Sequence, residues 1–296
     1  MKPLLNDGET TLNISIIDVS INYDNSTEFF FPKNPYKFEK KLIMKMIISP
    51  AKSLNFDSDL PIDINSNPFF LTEAKRINQL LREKSPSELS QLMKISDKLG
   101  NLNWERNQNF TTPFNPSNAR PAVFAFDGDV YSGLDVYSLP VDKIDSMQNS
   151  LRILSGLYGI LKPLDLIQPY RLEMGSKFPI DTNNTLYEFW KEKVTGFLNE
   201  ELEEGELFVN LASNEYFSSI NSKILNTDII SPQFKDFKNG KLKMISFYAK
   251  KARGMMARYL LELEEVTAEN LLGFNYGSYT YSEENTTSSY APVFIR

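Results

Sequence analysis

The stretch Leu151–Gly175, LRILSGLYGILKPLDLIQPYRLEMG, constrains the fold most. Apolar Ile153 and Leu154 meet a turn containing Gly156 and Gly159, and a second apolar run, Leu157 to Leu161, stops at Lys162-Pro163. Glycine lets a backbone approach another surface with no Cβ in the way. Two readings follow. The stretch is either a tight helix–turn–helix or strand–turn–helix corner that only packs, or a turn whose exposed amides hold a phosphate with cations nearby. Beyond it, Arg171 and Glu173 sit among Pro169, Tyr170 and Met174 as a structural ion pair or as polar groups of a site.

The 296 residues contain no cysteine and no histidine. No disulfide scaffold, thiol nucleophile or Cys/His zinc site can form. Ser–His–Asp and Cys–His catalysis lack their base, and haem held by His or Cys is excluded. Acid–base chemistry must use carboxylates, lysine or tyrosine, and any metal must be a hard, oxygen-ligated ion. With 41% apolar and 24% charged residues the chain reads as an ordinary soluble protein. Its apolar runs are too short to span a bilayer and it carries no signal core, so a cytoplasmic location is expected. A net charge of −6 argues against a general polyanion binder but allows a focal basic patch.

Residues 1–43 differ from the rest, being rich in Asn, Asp, Thr and Ser around Phe29-Phe30-Phe31. They read as an N-terminal extension, with Met44 as a candidate start of the main domain, 44–296. Met46–Ile48 predicts a first strand. Helical spacing is expected over 69–84, and Ser85-Pro86-Ser87-Glu88 carries the marks of a helix start. A helix is expected over 97–107, a strand over 122–126, a helix over 186–201 and a strand over 207–211. Asn239-Gly240 suits a type I′ hairpin turn, followed by a strand over 243–248 and a helix from about 249 to 264. The expected fold class is α+β, a single domain with a mixed sheet and several helices.

The basic segment from Gly240 to Leu261 carries Lys241, Lys243, Lys250, Lys251, Arg253 and Arg258 and no acid. On a helix Lys250 lies near Arg253, while Lys251 and Arg258 share a neighbouring face. The segment is a solvated face paired with Glu262, Glu264 and Glu265, or an anion-binding surface; the segregation of charge favours the second. Lys52 follows the first strand, where α/β folds place ligand loops. Asp127-Gly128-Asp129 is either turn chemistry or a pair of carboxylates for a hard cation. Asn214-Glu215-Tyr216 follows another strand end.

Six ordered blocks, ISPAKSLN (48–55), ISDKL (95–99), AFDGDVYSGL (125–134), the Leu151–Gly175 stretch, LASNEYF (211–217) and ISFYAKKARGMMARY (245–259), resemble the YaaA family of peroxide-stress-resistance proteins from about Met44 to Arg296. The resemblance implies a cytoplasmic bacterial protein that limits free iron and hence Fenton damage. It also implies DNA binding through a basic cleft and a helix–hairpin–helix-like element, matched here at Gly156–Gly159, where two residues separate the glycines. DNA contact is accordingly expected at Lys52, Gly156, Gly159, Arg171, Lys250, Lys251, Arg253 and Arg258, with double-stranded DNA read with little sequence specificity. No catalytic residue, metal, cofactor, membrane or obligate protein partner is expected. Two alternatives stand beside this: an enzyme acting on a phosphorylated or nucleotide-like small molecule through Asp127, Asp129 or Glu173, and a carboxylate-based ferrous iron binder.

Overall fold

The computed structural model describes residues 44–296. Its centre is a five-stranded sheet in the order β6-β5-β1-β8-β9: β1 (Met44–Ile48), β5 (Leu151–Ser155), β6 (Gly159–Leu161), β8 (Leu207–Leu211) and β9 (Ile229–Ile230). Strands β5, β1, β8 and β9 run parallel, and β6 returns antiparallel to β5. Strand β1, MKMII, is buried along its whole length, as a strand covered on both faces must be. A second sheet, in the order β11-β10-β13-β12, joins β10 (Gln233–Lys238), β11 (Lys241–Lys243), β12 (Thr280–Tyr281) and β13 (Val293–Ile295). Two short ladders complete the strands: β2 (Ser53–Leu54) with β4 (Phe126–Asp127), and β3 (Arg120–Pro121) with β7 (Leu166–Ile167).

The helices are α1 (Leu71–Arg82), α2 (Pro86–Met93), α3 (Asp97–Asn109), α4 (Ala122–Ala125), α5 (Asp129–Leu134), α6 (Ile144–Ser150), α7 (Leu186–Glu201), α8 (Asn214–Phe217), α9 (Ser246–Glu262) and α10 (Ala268–Leu272). Helix α2 opens on the expected capping box. The Glu88 amide donates to Ser85 Oγ at 3.3 Å, and the Ser85 amide donates to Glu88 Oε2 at 2.8 Å. The Asn239-Gly240 turn has φ of 54° and 70°, the type I′ geometry. The fold is α+β with mixed sheets, as expected. Two elements differ from expectation. Residues 122–125 coil into α4 rather than extending, because their amides bond back to Pro163 and Asp165 carbonyls instead of a strand. The arm after Gly240 pairs only through Lys243, and α9 begins at Ser246.

The Gly156–Gly159 turn joins two antiparallel strands, so this element is a β-hairpin and not a turn between helices. Both glycines are buried. The Trp190 indole of α7 donates to the Gly156 carbonyl at 3.0 Å, and a Cβ on Gly159 would lie 2.5 Å from the Trp190 ring. Gly159 also has φ +70°, a conformation that favours glycine. Ser155 Oγ accepts from the Leu157 and Tyr158 amides at 3.2 and 3.0 Å. Those amides are spent inside the turn. Of the two readings, the packing corner is the one the structure supports, with the Leu157 and Tyr158 amides of the turn already engaged.

Buried ion pairs tie the sheet together. Lys45 on β1 meets Glu206 at 3.0 Å, and Arg152 on β5 meets Glu201 at 2.7 Å, with Lys162 also on Glu201 at 2.9 Å. Arg152 has further acceptors in the Gln148 and Leu151 carbonyls, which offsets the cost of taking a guanidinium out of water.

Candidate functional site

Parallel strands place their carboxyl ends together, and α/β sheets bind ligands there. Here β1 ends at Ile48 and β8 at Leu211, side by side in register. The Ser213 amide donates to Ser49 Oγ at 2.9 Å, and the Tyr131 hydroxyl donates to the Ser49 carbonyl at 3.2 Å. These contacts lock the two strand-end loops around a cavity of about 350 Å³. Its wall takes Ser49–Ser53 from the first loop, Asp127–Tyr131 around the start of α5, and Glu173 from the segment after β7. Ser213, Glu215 and Tyr216 come from the second loop and α8, and Lys250 and Arg253 from α9.

Two glycines bring α5 and α9 into backbone contact. A Cβ on Gly133 would overlap the Lys251 carbonyl oxygen, and one on Gly254 would overlap the Val130 carbonyl oxygen. The crossing sets Asp129 and Tyr131 opposite Lys250 and Arg253. Arg253 is largely withdrawn from water, which lowers its pKa below the ordinary guanidinium value, yet a guanidinium stays protonated. Among the described residues it has no carboxylate within ion-pair distance.

Glu173 is the hub of the opposite wall. Its Oε1 accepts from Arg171 at 2.9 and 3.1 Å and lies 3.3 Å from Lys52 Nζ. Its Oε2 is buried with no hydrogen-bond partner among the described residues. Glu215 Oε1 accepts from the Gly175 amide at 3.1 Å. The phenols of Tyr131 and Tyr216 are pushed well up by burial, so at neutral pH both are hydrogen-bond donors. The cavity thus combines cations, a carboxylate oxygen in need of a proton donor, and neutral hydroxyls. That set suits a molecule with an anionic group and hydrogen-bond donors of its own.

Of the residues singled out in the sequence, Lys52, Lys250 and Arg253 line the cavity, with Asp127, Asp129, Glu173 and Glu215. Arg171 stands behind, holding Glu173. Lys251 projects to solvent. Arg258 lies elsewhere: it pairs with Glu262 at 2.5 Å and donates to the Leu134, Asp135 and Ser138 carbonyls, so it clamps α9 to the turn after α5. Ser49, in the loop Ser49–Lys52 after the first strand, lines the cavity too, and so does Tyr131, which lies inside a quoted block but carried no signal of its own. The ISDKL block is not at the cavity; its Ser96 caps α3, accepting from the Leu99 amide at 3.4 Å. Among the described residues no three Asp, Glu, His or Cys side chains are grouped to hold a metal ion.

The other five blocks converge on one cavity, and comparison with known proteins gives that convergence a family. The sequence model described as "Peroxide stress protein YaaA" matches residues 44–285. The chain belongs to the YaaA peroxide stress family. A UPF0246 protein of Flavobacterium johnsoniae is 58% identical over 253 residues, covering 86% of this chain and 100% of the relative. A UPF0246 protein of Flavobacterium psychrophilum is 55% identical over 253 residues, covering 86% and 100%. One from Alteromonas mediterranea is 51% identical over 248 residues, covering 83% and 96%. The YaaA match supports a role in peroxide stress. Among the described residues no helix is long and apolar enough to cross a membrane.

Proposed function

We propose that within this peroxide-stress role the cavity takes a phosphorylated, nucleotide-like molecule. Arg253 and Lys250 hold its phosphate, and Glu173 accepts a hydrogen bond or a proton from its sugar or base. The observation that carries this reading is Arg253: a largely buried guanidinium with no ion-pair partner among the described residues, facing carboxylates across about 350 Å³. Small-molecule sites run from roughly 300 to 1,000 Å³. A cavity at the low end of that range admits a nucleotide and excludes a duplex. We take protection against peroxide to be indirect: with no cysteine and no histidine the chain has neither a thiol route nor a His- or Cys-bound haem route. Restriction of free iron, and so of Fenton damage, is the effect we assign to that indirect role, in a cytoplasmic setting.

Calorimetric titration with nucleoside mono-, di- and triphosphates tests the reading. Saturable binding is expected, weakened at least about tenfold in Arg253→Gln, the loss of one charge-assisted contact. Absence of binding for every nucleotide at millimolar concentration, or unchanged affinity in Arg253→Gln, overturns it.

DNA is the second reading, and the exposure of Lys250 and Lys251 on one helix beside the cavity mouth favours it. Contacts by Lys52, Lys250, Lys251 and Arg253 would be to phosphates, with little sequence preference. Duplex affinity should then fall with salt with a logarithmic slope near −0.9 per phosphate neutralised. A Lys250→Glu/Lys251→Glu variant that binds duplex as tightly as wild type at low salt removes this reading.

A further inference from the structure

The candidate cavity holds charges of both signs that do not meet. Lys250 and Arg253 lie three residues apart on α9, and Asp127, Asp129 and Glu215 line the same space of about 350 Å³. None of these five side chains belongs to an ion pair among the described residues, so the two signs stand beyond ion-pair distance of each other. Opposite charges sharing a recess gain Coulomb energy by closing on one another. Here the scaffold keeps them apart.

The carboxylate wall is set by the β2–β4 ladder, in which Asp127 pairs with Ser53. Gly128 presses that wall onto the first loop, since a Cβ there would lie 3.1 Å from Ala51 Cβ. Glu215 is tethered by the Gly175 amide, which donates to its Oε1 at 3.1 Å. The cation wall is set by the backbone contact of α9 with α5 at Gly133 and Gly254. A gap between fixed charges of opposite sign is complementary to a molecule with acceptors at one end and donors at the other.

We infer that the cavity selects a nucleoside monophosphate whose base carries an exocyclic amine. This rests on the nucleotide reading above and narrows it to one class. The two unpaired cations match the two charges of a terminal phosphate. A second or third phosphate would face Asp127, Asp129 and Glu215, and like charges brought together oppose binding. The same carboxylates decide the far end of the ligand. An ionised carboxylate only accepts hydrogen bonds. The amine of adenine or cytosine donates two, whereas a keto oxygen in its place turns lone pairs toward the carboxylates. A site built to receive a donor rejects the analogue that lacks it more strongly than a site built on shape.

The test is calorimetric titration of AMP against IMP and of CMP against UMP, each pair exchanging that amine for a keto oxygen. AMP is also compared with ADP and ATP, with and without magnesium. The amine-bearing member of at least one pair should bind at least about tenfold more tightly than its keto partner. AMP should bind at least about tenfold more tightly than ATP. Asp127→Asn/Asp129→Asn should erase most of both preferences, because an amide donates as well as accepts and carries no charge. That variant should bind IMP at least as tightly as wild type does, which certifies its fold. Equal affinity within both amine–keto pairs, ATP binding as tightly as AMP with or without magnesium, or a folded variant that keeps both preferences each overturns the inference and leaves the nucleotide reading standing. Absence of binding for all of these nucleotides at millimolar concentration overturns both.

Discussion

Gly254→Ala is the sharpest perturbation the structure offers. In most helices alanine replaces glycine with a gain of about 0.8–1 kcal/mol, from lower backbone entropy in the unfolded chain. Here the new Cβ would overlap the Val130 carbonyl oxygen and sit 2.8 Å from the Leu134 amide nitrogen, where ordinary contact begins at 3.4 Å. The obstacle is backbone, which cannot rotate aside. Helix α5 must move as a body, and Val130, Tyr131 and Leu134 go with it out of their packed positions. Overpacking of this kind costs about 1–3 kcal/mol, occasionally more, and outweighs the propensity gain. For a domain of this size each kcal/mol lowers Tm by about 2–4 °C, so a drop of a few degrees to about 10 °C is expected by circular dichroism. The same movement carries Asp129 and Tyr131 away from Lys250 and Arg253, so nucleotide affinity should fall even well below Tm. Gly196 on α7 supplies the opposite sign: a Cβ there meets nothing within 4 Å, and Gly196→Ala should stabilise by about 0.5–1 kcal/mol. If Gly254→Ala melts at or above wild type and keeps its affinity, the close crossing of α5 and α9 is wrong.

Three further outcomes are expected. Arg258→Ala removes an ion pair and three carbonyl contacts, so urea titration should show a loss of about 1–3 kcal/mol with nucleotide affinity retained; a binding defect without a stability defect contradicts the clamp role. Lys45→Met leaves the buried Glu206 with the Glu203 amide at 2.9 Å but no counter-charge, at a cost of about 3–5 kcal/mol in denaturant, whereas the paired change Lys45→Met/Glu206→Leu should recover most of it; equal losses in both variants would deny the coupling. Burial pushes the Asp165 carboxyl up from 3.8 to about 6. A carboxyl raised on folding favours the native state below its unfolded pKa, and that contribution is lost as pH rises from 3.8 to about 6. Stability of wild type relative to Asp165→Asn should therefore decline across that window, and a flat difference refutes the assignment.

Local chemistry was legible where it is written in adjacent residues. Ser85–Glu88 and Asn239-Gly240 each dictate their backbone geometry, and both formed as read. The strand ends at Ile48 and Leu211 were legible for the same reason, which is why Lys52 and Glu215 were in view. The 122–126 segment was misread because apolar alternation over five residues cannot reveal that its amides bond to a distant loop. Gly156 and Gly159 were misjudged for a related reason. Glycine announces close approach without naming the partner, and here the partner is Trp190, some thirty residues on. In the basic helix, spacing distinguished Lys250 and Arg253 from Lys251 and Arg258, but only the crossing with α5 decides which pair faces the cavity.

Strand β1 carries a consequence for how the molecule comes to exist. It is the third strand of its sheet, and its neighbours arrive late: Met46 pairs with Leu151 on one side and Val209 on the other. During synthesis five consecutive residues built for burial emerge with both hydrogen-bonding edges open, and one edge stays open until just over half the chain has been made, the other until more than two thirds has. Such distant pairing slows folding and exposes a sticky edge to other nascent chains. Until β8 arrives, that one strand is the segment of the nascent chain that most needs shielding.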